Sequence, residues 1–368
     1  FNGFSPQRTK LTLIASSMLK LLRCLLFFVS DAYNHRSLEP TRQGCNSMPR
    51  SALDLPETDP TPIFELFRGS YGSELLTAAI THFDIFGRLA KQPLSFEELA
   101  NALQLAARPA TVLIAALRAM NLLSQTNGKL APSDLAREHL VPGGYFDVGN
   151  YVGLAAQSPG VTGMVQLLKS NQPLGSDGSG SGTAFIYRDG MESAMEAEQS
   201  ARHLTLALAG RAKNVAPALA QAVPMPDHSR LLDLGGGTGI YSYALLEQNP
   251  TLNAIVFDRP EVLKVADEMA QDYEIMDRVE FMRGDMFADP LPTNINVILL
   301  SNILHDWDVA ECQQLVNRCA AALAPGGRIL IHDVFLNDEH DGPLPIALYS
   351  AALFSLTEGR AYSVKEYR

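Results

Sequence analysis

Between Arg230 and Leu246 the chain runs from an apolar stretch into spaced glycines and on into a helical pattern: RLLDLGGGTG, then Ile240–Leu246. A strand that ends in glycines can turn sharply and bring its backbone close to a ligand, as the first strand of an open parallel sheet does. Many α/β folds place glycines here, so the spacing has to carry the meaning. It reads Gly235-x-Gly237-x-Gly239, with Asp233 just inside the strand and Ile240 where the dinucleotide fingerprint has its third glycine. That spacing disfavours a pyrophosphate and leaves a NAD-dependent enzyme as the weaker alternative.

The segments downstream repeat the strand-then-polar pattern. Asn253–Phe257 ends in Asp258, 19 residues after Gly239, where a carboxylate can hold a ribose diol; an ordinary solvated acid is the plainer reading. Val279–Arg283 precedes Gly284-Asp285-Met286-Phe287. There Asp285 can accept from an exocyclic amine while Met286 packs on the ring. Ile295–Leu300 leads into Ser301-Asn302-Ile303-Leu304-His305-Asp306-Trp307. His305 is thus placed just past a strand's carboxyl end, on the rim where open parallel sheets bind ligands. An imidazole in an ordinary environment titrates near pH 6–7 and can take a proton. A helix containing Cys312–Leu323 follows, and Pro325-Gly326-Gly327 turns into a fifth strand, Arg328–Ile331. Asp333 comes next, where it can fix the tautomer of His305 or be one more strand-end acid.

Upstream lies a different kind of segment, and 368 residues leave room for two domains. Tyr71–Leu89 suits a helix ending near Phe86-Gly87. Ser95 and Glu98 make a capping box, Pro109 opens a second helix, and Asn127-Gly128 is a hairpin turn. Helix, turn, helix and hairpin make a winged helix. Its second helix offers Arg108 and Arg118 among apolar residues, and the chain has 29 Lys plus Arg against 40 Asp plus Glu, a net charge of -11. Nucleic acid and anionic membranes reward the opposite balance, so neither is an expected partner. The apolar face suits packing on another chain or domain. GSDGSGSG at 175–182 reads as a loop, and Met191 to about Ala222 as a helix. In it Met191 and Met195 line a substrate cavity or simply fill core. Residues 1–47 contain the run Leu21–Val29, too short to span a bilayer and broken by Arg23. They read as an extension or misplaced start, with a targeting segment as the alternative. Cys24, Cys45, Cys312 and Cys319 form no CxxC pair, in keeping with a reduced, cytoplasmic setting and no metal site.

LLDLGGGTG, VFDRPEV, GDMF, LHDWD and APGGRILIHD, in that order and spacing, resemble the class I S-adenosylmethionine-dependent O-methyltransferases. The likeness is to the plant caffeic acid and animal hydroxyindole group, and it covers about residues 60–368. The resemblance implies an α/β chain: a Rossmann-like methyltransferase sheet behind an N-terminal, mainly helical winged-helix dimerisation domain. The boundaries it suggests are 1–47 for the extension, 48–222 for the dimerisation and substrate-lid domain, and 223–368 for the S-adenosyl-L-methionine domain. The implied partners are a small aromatic hydroxyl substrate and a second copy of the chain. By position, Asp233, Gly235 and Gly237 would face the methionine part of the cofactor, Asp258 the ribose, and Asp285 and Met286 the adenine. His305 would be the base and Asp333 its supporting acid. The family's basic cofactor contact falls at Ser301 and Asn302, so an amide replaces a cation, and a second supporting acid falls near Ala361, where there is none. Family members run about 40 residues past Arg368, so a truncated chain is expected. A non-catalytic winged-helix regulator or an inactive fragment remains the alternative outside enzymology.

Overall fold

Leu231–Leu234, Ala254–Phe257, Val297–Leu300 and Ile329–Ile331 are almost unbroken apolar runs, the pattern of strands covered on both faces. The computed structural model describes residues 10–15, 51–173 and 198–368. Its strands are β1 (Lys10–Ala15), β2 (Leu123–Thr126), β3 (Lys129–Pro132), β4 (Arg230–Leu234), β5 (Asn253–Asp258), β6 (Val279–Arg283), β7 (Ile295–Ser301), β8 (Leu323–Asp333), β9 (Phe335–Leu336) and β10 (Tyr362–Ser363). Six of them form one parallel sheet in the order β1-β8-β7-β4-β5-β6.

From β4 the chain steps outward through β5 and β6, then returns to the other side of β4 through β7 and β8. The carboxyl end of β4 is therefore the switch point, where open α/β sheets form their ligand crevice. Alternate residues feed the two faces. Leu231, Ala254, Val256, Val297 and Leu299 pack under helices Glu198–Ala222, Ile240–Gln248 and Pro260–Asp272. Leu232, Ile255, Phe257, Ile298 and Ile329 pack under helix Val309–Ala322. The second face uses Cys319 as a small apolar residue, and burial pushes its thiol up to about 12.

Helices Thr61–Thr81, Ile85–Lys91, Phe96–Leu103, Ala107–Ala119 and Pro159–Ser170 and the β2–β3 hairpin surround a separate core. Leu75, Phe86, Leu113, Leu130 and Met164 lie in it, joined by Ala351 and Phe354 from helix Leu344–Leu356. The capping box is formed, with Ser95 Oγ accepting from Glu98 N and Glu98 accepting from Ser95 N. Asn127 and Gly128 both take positive φ, as the hairpin turn requires.

The expected single helix over Tyr71–Leu89 is two. The first ends at Thr81, Asp84 adopts a left-handed conformation, and a second helix covers Ile85–Lys91. Gly87 lies inside that second helix; a Cβ there would lie 2.3 Å from the Asp84 carboxylate, so the glycine makes room for the turn and does not end the helix. Both arginines of the Ala107–Ala119 helix have internal work. Arg108 is buried, donating to the Thr357 and Gly359 carbonyls at 3.1 and 3.0 Å and to Asn171. Arg118 donates to the Glu339 carbonyl. Helix Glu198–Ala222 packs on the sheet helices; the expected start at Met191, with Met195, the 175–182 loop and the 21–29 run, lies outside the described residues. Among the described residues no single helix is long and apolar enough to cross a membrane.

Candidate active site

The glycine turn after β4 is built by packing on both sides. Gly235, Gly237 and Gly239 all take positive φ. A Cβ on Gly235 would lie 2.5 Å from Ile303 Cδ1, and one on Gly239 would lie 2.4 Å from the Tyr243 ring. At Gly237 the same position is open, so this glycine presents bare backbone to the crevice. Asp233 sits behind the turn, fully buried, accepting from Ser242 Oγ at 2.7 Å. Burial pushes its carboxyl up to about 7 against the pull of the Ser242 bond. It supports the loop from within: a Cβ on Gly236 would lie 2.9 Å from its carboxylate.

Asp258 ends β5 with its two oxygens already oriented. Oδ2 accepts from Gly237 N at 2.8 Å and Oδ1 from Arg259 N at 2.7 Å. Burial raises its pKa, while those two N–H groups act the other way. Next to it, Arg259, Pro260, Met282, Arg283, Gly284 and Asp285 line a cleft of about 570 Å³. Asp285 Oδ1 accepts from Phe287 N at 2.7 Å, leaving Oδ2 toward Arg259 at 3.8 Å. Met286 reaches back to the turn, its Cε 3.9 Å from where a Gly235 Cβ would be. Asp258, Asp285, Met286 and the glycine turn thus share one side of the rim.

On the other side of β4, Asn302 takes a left-handed conformation after β7 and donates to the Tyr241 hydroxyl and to Ser301 Oγ at 3.3 and 3.1 Å. Ser301 shares a 2.8 Å hydrogen bond with His332 Nδ1, and burial pulls His332 down to about 4, so this network is neutral.

His305 lies in a turn of 3₁₀ helix, Leu304–Asp306, and is 3% exposed. Its Nδ1–H donates to Asp333 Oδ1 at 2.6 Å, the same oxygen that accepts from Val334 N. That bond fixes the tautomer and leaves Nε2 as the free ring nitrogen, with Asp306 Oδ1 3.6 Å away. This is not the ordinary environment under which titration near pH 6–7 is expected. Burial pulls the imidazole down, but Asp333, Tyr349 and Asp306 outweigh it and raise the pKa to about 9. Burial in turn pushes Asp306 up to about 6. Asp306 thus places a second carboxyl beside the imidazole, on its Nε2 side. Ala361 itself is buried with its N–H on Ser350 Oγ. Gly359 lets its loop press onto this turn, since a Cβ there would lie 2.1 Å from the His305 carbonyl.

Sequence reasoning missed Tyr349, whose ring stands edge-on to His305 with centroids 5.9 Å apart. It also missed Arg211, which donates to the Tyr349 hydroxyl, and Asp306. Only Asp306 had a signal, its place next to a rim histidine. Ile240, in the third-glycine position, is fully buried.

A family model described as an O-methyltransferase domain matches residues 183–368. The chain is 32% identical over 312 residues to 3-hydroxy-5-methyl-1-naphthoate 3-O-methyltransferase of Streptomyces sahachiroi, covering 84% of this chain and 87% of the relative. An O-methyltransferase family 2 protein from Planctomyces limnophilus, solved as a complex with apigenin, superposes with a TM-score of 0.78 at 48% identity, over 87% of this chain and 91% of that one. Human N-acetylserotonin methyltransferase, solved with S-adenosylmethionine, shares the fold, with a TM-score of 0.50 at 22% identity over 84% and 90%.

Proposed function

The chain belongs to the O-methyltransferase family, and on that premise we propose that its rim serves methyl transfer to an aromatic hydroxyl, with His305 as general base. The enzyme is an S-adenosyl-L-methionine-dependent O-methyltransferase acting on a small aromatic molecule. The carrying observation is the 2.6 Å bond from His305 to Asp333, which leaves Nε2 unprotonated in the neutral ring.

The residues of the first half-site fit S-adenosyl-L-methionine. Open space over Gly237 admits a ligand against bare backbone, and the Asp258 carboxylate stands at the strand end where a ribose diol would lie. Asp285 lines the neighbouring cleft and Met286 reaches the glycine turn beside it, a pair that suits the adenine, and Asn302 brings an amide to the other side of the turn. Asp233 shapes the turn from behind. When bound, the cofactor supplies a methyl carbon activated by a positive sulfur. The protein's task is then to hold the acceptor oxygen and take its proton. His305 Nε2 accepts that proton, and Asp333 stabilises the resulting imidazolium through Nδ1–H. A phenol, with a pKa near 10, is within reach of such a base, whereas an aliphatic alcohol is far harder.

The helical region fits a dimerisation role. Helix Thr61–Thr81 leaves Leu66 and Phe67 82% and 79% exposed, and Tyr151 and Leu154 in the turns packed beside it are 78% and 82% exposed. Exposed apolar side chains at both ends of that helix, on a chain of net charge -11, suit a second copy of itself, with the winged-helix region of 48–222 as the interface and no role for nucleic acid. The reaction is tested by methyl transfer from labelled cofactor to a panel of phenols. His305→Ala is expected to lower single-turnover rates by roughly 10²–10⁴-fold. A loss within about threefold at saturation would move the base elsewhere.

A further inference from the structure

Helices from three parts of the chain bring two arginines onto one tyrosine. Arg211, on Glu198–Ala222, donates from Nη1 to the Tyr349 hydroxyl at 2.6 Å. Arg68, on Thr61–Thr81, lays its guanidinium 3.7 Å from the centre of the Tyr349 ring. That ring is the one edge-on to His305, at 5.9 Å. Two cations thus stand one aromatic ring away from the base.

Neither arginine makes an ion pair among the described residues, and the nearby acids are engaged with His305. Arg211 Nε is buried with no hydrogen-bond partner among the described residues. A buried donor left unmade is costly and calls for an explanation. Arg108 shows what a structural arginine looks like in this protein: Nε, Nη1 and Nη2 all donate to Asn171, Thr357 or Gly359. The two cations also oppose each other, since Arg211 is among the influences, after burial, that lower the pKa of Arg68. Burial lowers the pKa of Arg211, but Tyr349, Tyr241, Asp333 and Asp306 outweigh it and keep the guanidinium charged, so the opposite charge it faces is shared with the base.

We propose that Arg211 and Arg68 anchor an aromatic carboxylate on the methyl acceptor, so that the preferred substrate is a hydroxyarene acid. The assignment rests on the acceptor-site reading above and narrows it. The planar guanidinium of Arg211 has a buried N–H without a partner among the described residues, and Arg68 adds a second charge across the Tyr349 ring. A flat acceptor held this way lies along Tyr349, its acid at the arginines and its hydroxyl toward His305. The carboxylate relieves the repulsion between the arginines and satisfies the orphaned donor.

The test compares a hydroxynaphthoate, its methyl ester and the parent naphthol as acceptors with S-adenosyl-L-methionine. The unsubstituted protein is expected to prefer the free acid over the ester by roughly 10–100-fold in kcat/KM, the worth of hydrogen bonds to a charged group. In Arg211→Gln the preference should fall to within about threefold, chiefly through KM for the acid. Arg211→Lys should keep part of it, and Arg68→Gln should lower it independently. If Arg211→Gln fails to fold, the preference of the unsubstituted protein and the Arg68→Gln effect still decide. Equal use of acid and ester overturns the anchor while leaving the O-methyltransferase reading intact. So does a preference that survives both substitutions. Weakened S-adenosylhomocysteine binding in Arg211→Gln with the ratio unchanged would put Arg211 on the cofactor and also overturn it. No transfer to any phenol overturns both readings.

Discussion

Asp333→Asn separates the two effects that Asp333 exerts on His305. In the intact protein the imidazole is raised to about 9, so only about one molecule in a hundred carries a neutral base at pH 7. The alkaline limb of kcat/KM, which reports the free enzyme, should therefore rise toward pH 9 and not flatten near 7. The bond responsible is 2.6 Å long and fully buried at both ends. A charge-assisted hydrogen bond of that kind contributes about 1.5–3 kcal/mol, so neutralising Asp333 should move the limb down by roughly 1–2 pH units. Burial then has only Tyr349 and Asp306 against it. More of the enzyme becomes neutral at pH 7, yet the plateau should fall. An amide can donate to Nδ1 and force the proton onto Nε2, the wrong tautomer, a change that costs acid–base catalysts roughly 10²–10⁴-fold. The assay is a pH–rate profile of methyl transfer to one phenol, from pH 6 to 10, for both proteins. An unmoved limb with an unchanged plateau would remove Asp333 from the base's support and with it the reasoning that His305 is the titrating group.

Asp258→Ala should weaken S-adenosylhomocysteine binding by about 2–3 kcal/mol in calorimetric titration, from a lost carboxylate contact and a glycine turn freed from Oδ2. Asp233 is raised by burial from its usual 3.8 to about 7, so the folded state loses stability as pH rises from 4 through 7. Asp233→Asn, which keeps an acceptor for Ser242, should accordingly gain thermal stability relative to the parent at pH 8 and show no gain at pH 4; an equal shift at both would refute the cause. Phe67→Glu, on the exposed apolar helix face, should convert a dimer to a monomer in light scattering at micromolar concentration, while an unaltered mass would put the interface elsewhere.

What the sequence disclosed and what it withheld divide along a physical line. The glycine turn, the acids ending β5 and β8 and the histidine after β7 were legible because their placement is local. A strand end fixes where the next residue points, and parallel pairing brings every such end to one rim. The helix break at Asp84 was not legible, because the left-handed residue there is not a glycine and the nearby Gly87 serves its carboxylate. The surroundings of His305, and with them its titration, were not legible for a related reason. Neighbours in sequence and space, Asp306 and Asp333, outweigh the burial, and only coordinates give their distances of 3.6 and 2.6 Å. Arg68, Arg211 and Tyr349 left no trace at all, since they converge from helices more than a hundred residues apart and each reads locally as an ordinary helical residue.

That division has a consequence for how such an enzyme changes its substrate. The cofactor half of the rim is specified by backbone: positive-φ glycines, strand ends and a carboxylate that also holds the loop, as Asp258 does through Gly237. Substituting there disturbs the fold of the turn itself. The acceptor half is specified by side chains on helices Thr61–Thr81, Glu198–Ala222 and Leu344–Leu356, whose packing depends on other faces. Arg211 lies on a helix that rests on the sheet through Ala209, Ala212, Ala216 and Leu219, a seam to which the arginine itself does not belong. Acceptor preference can thus be altered at Arg68 and Arg211 while His305 and Asp333 stay where β7 and β8 put them. The chemistry is held by the sheet and the choice of acceptor by the helices leaning over it.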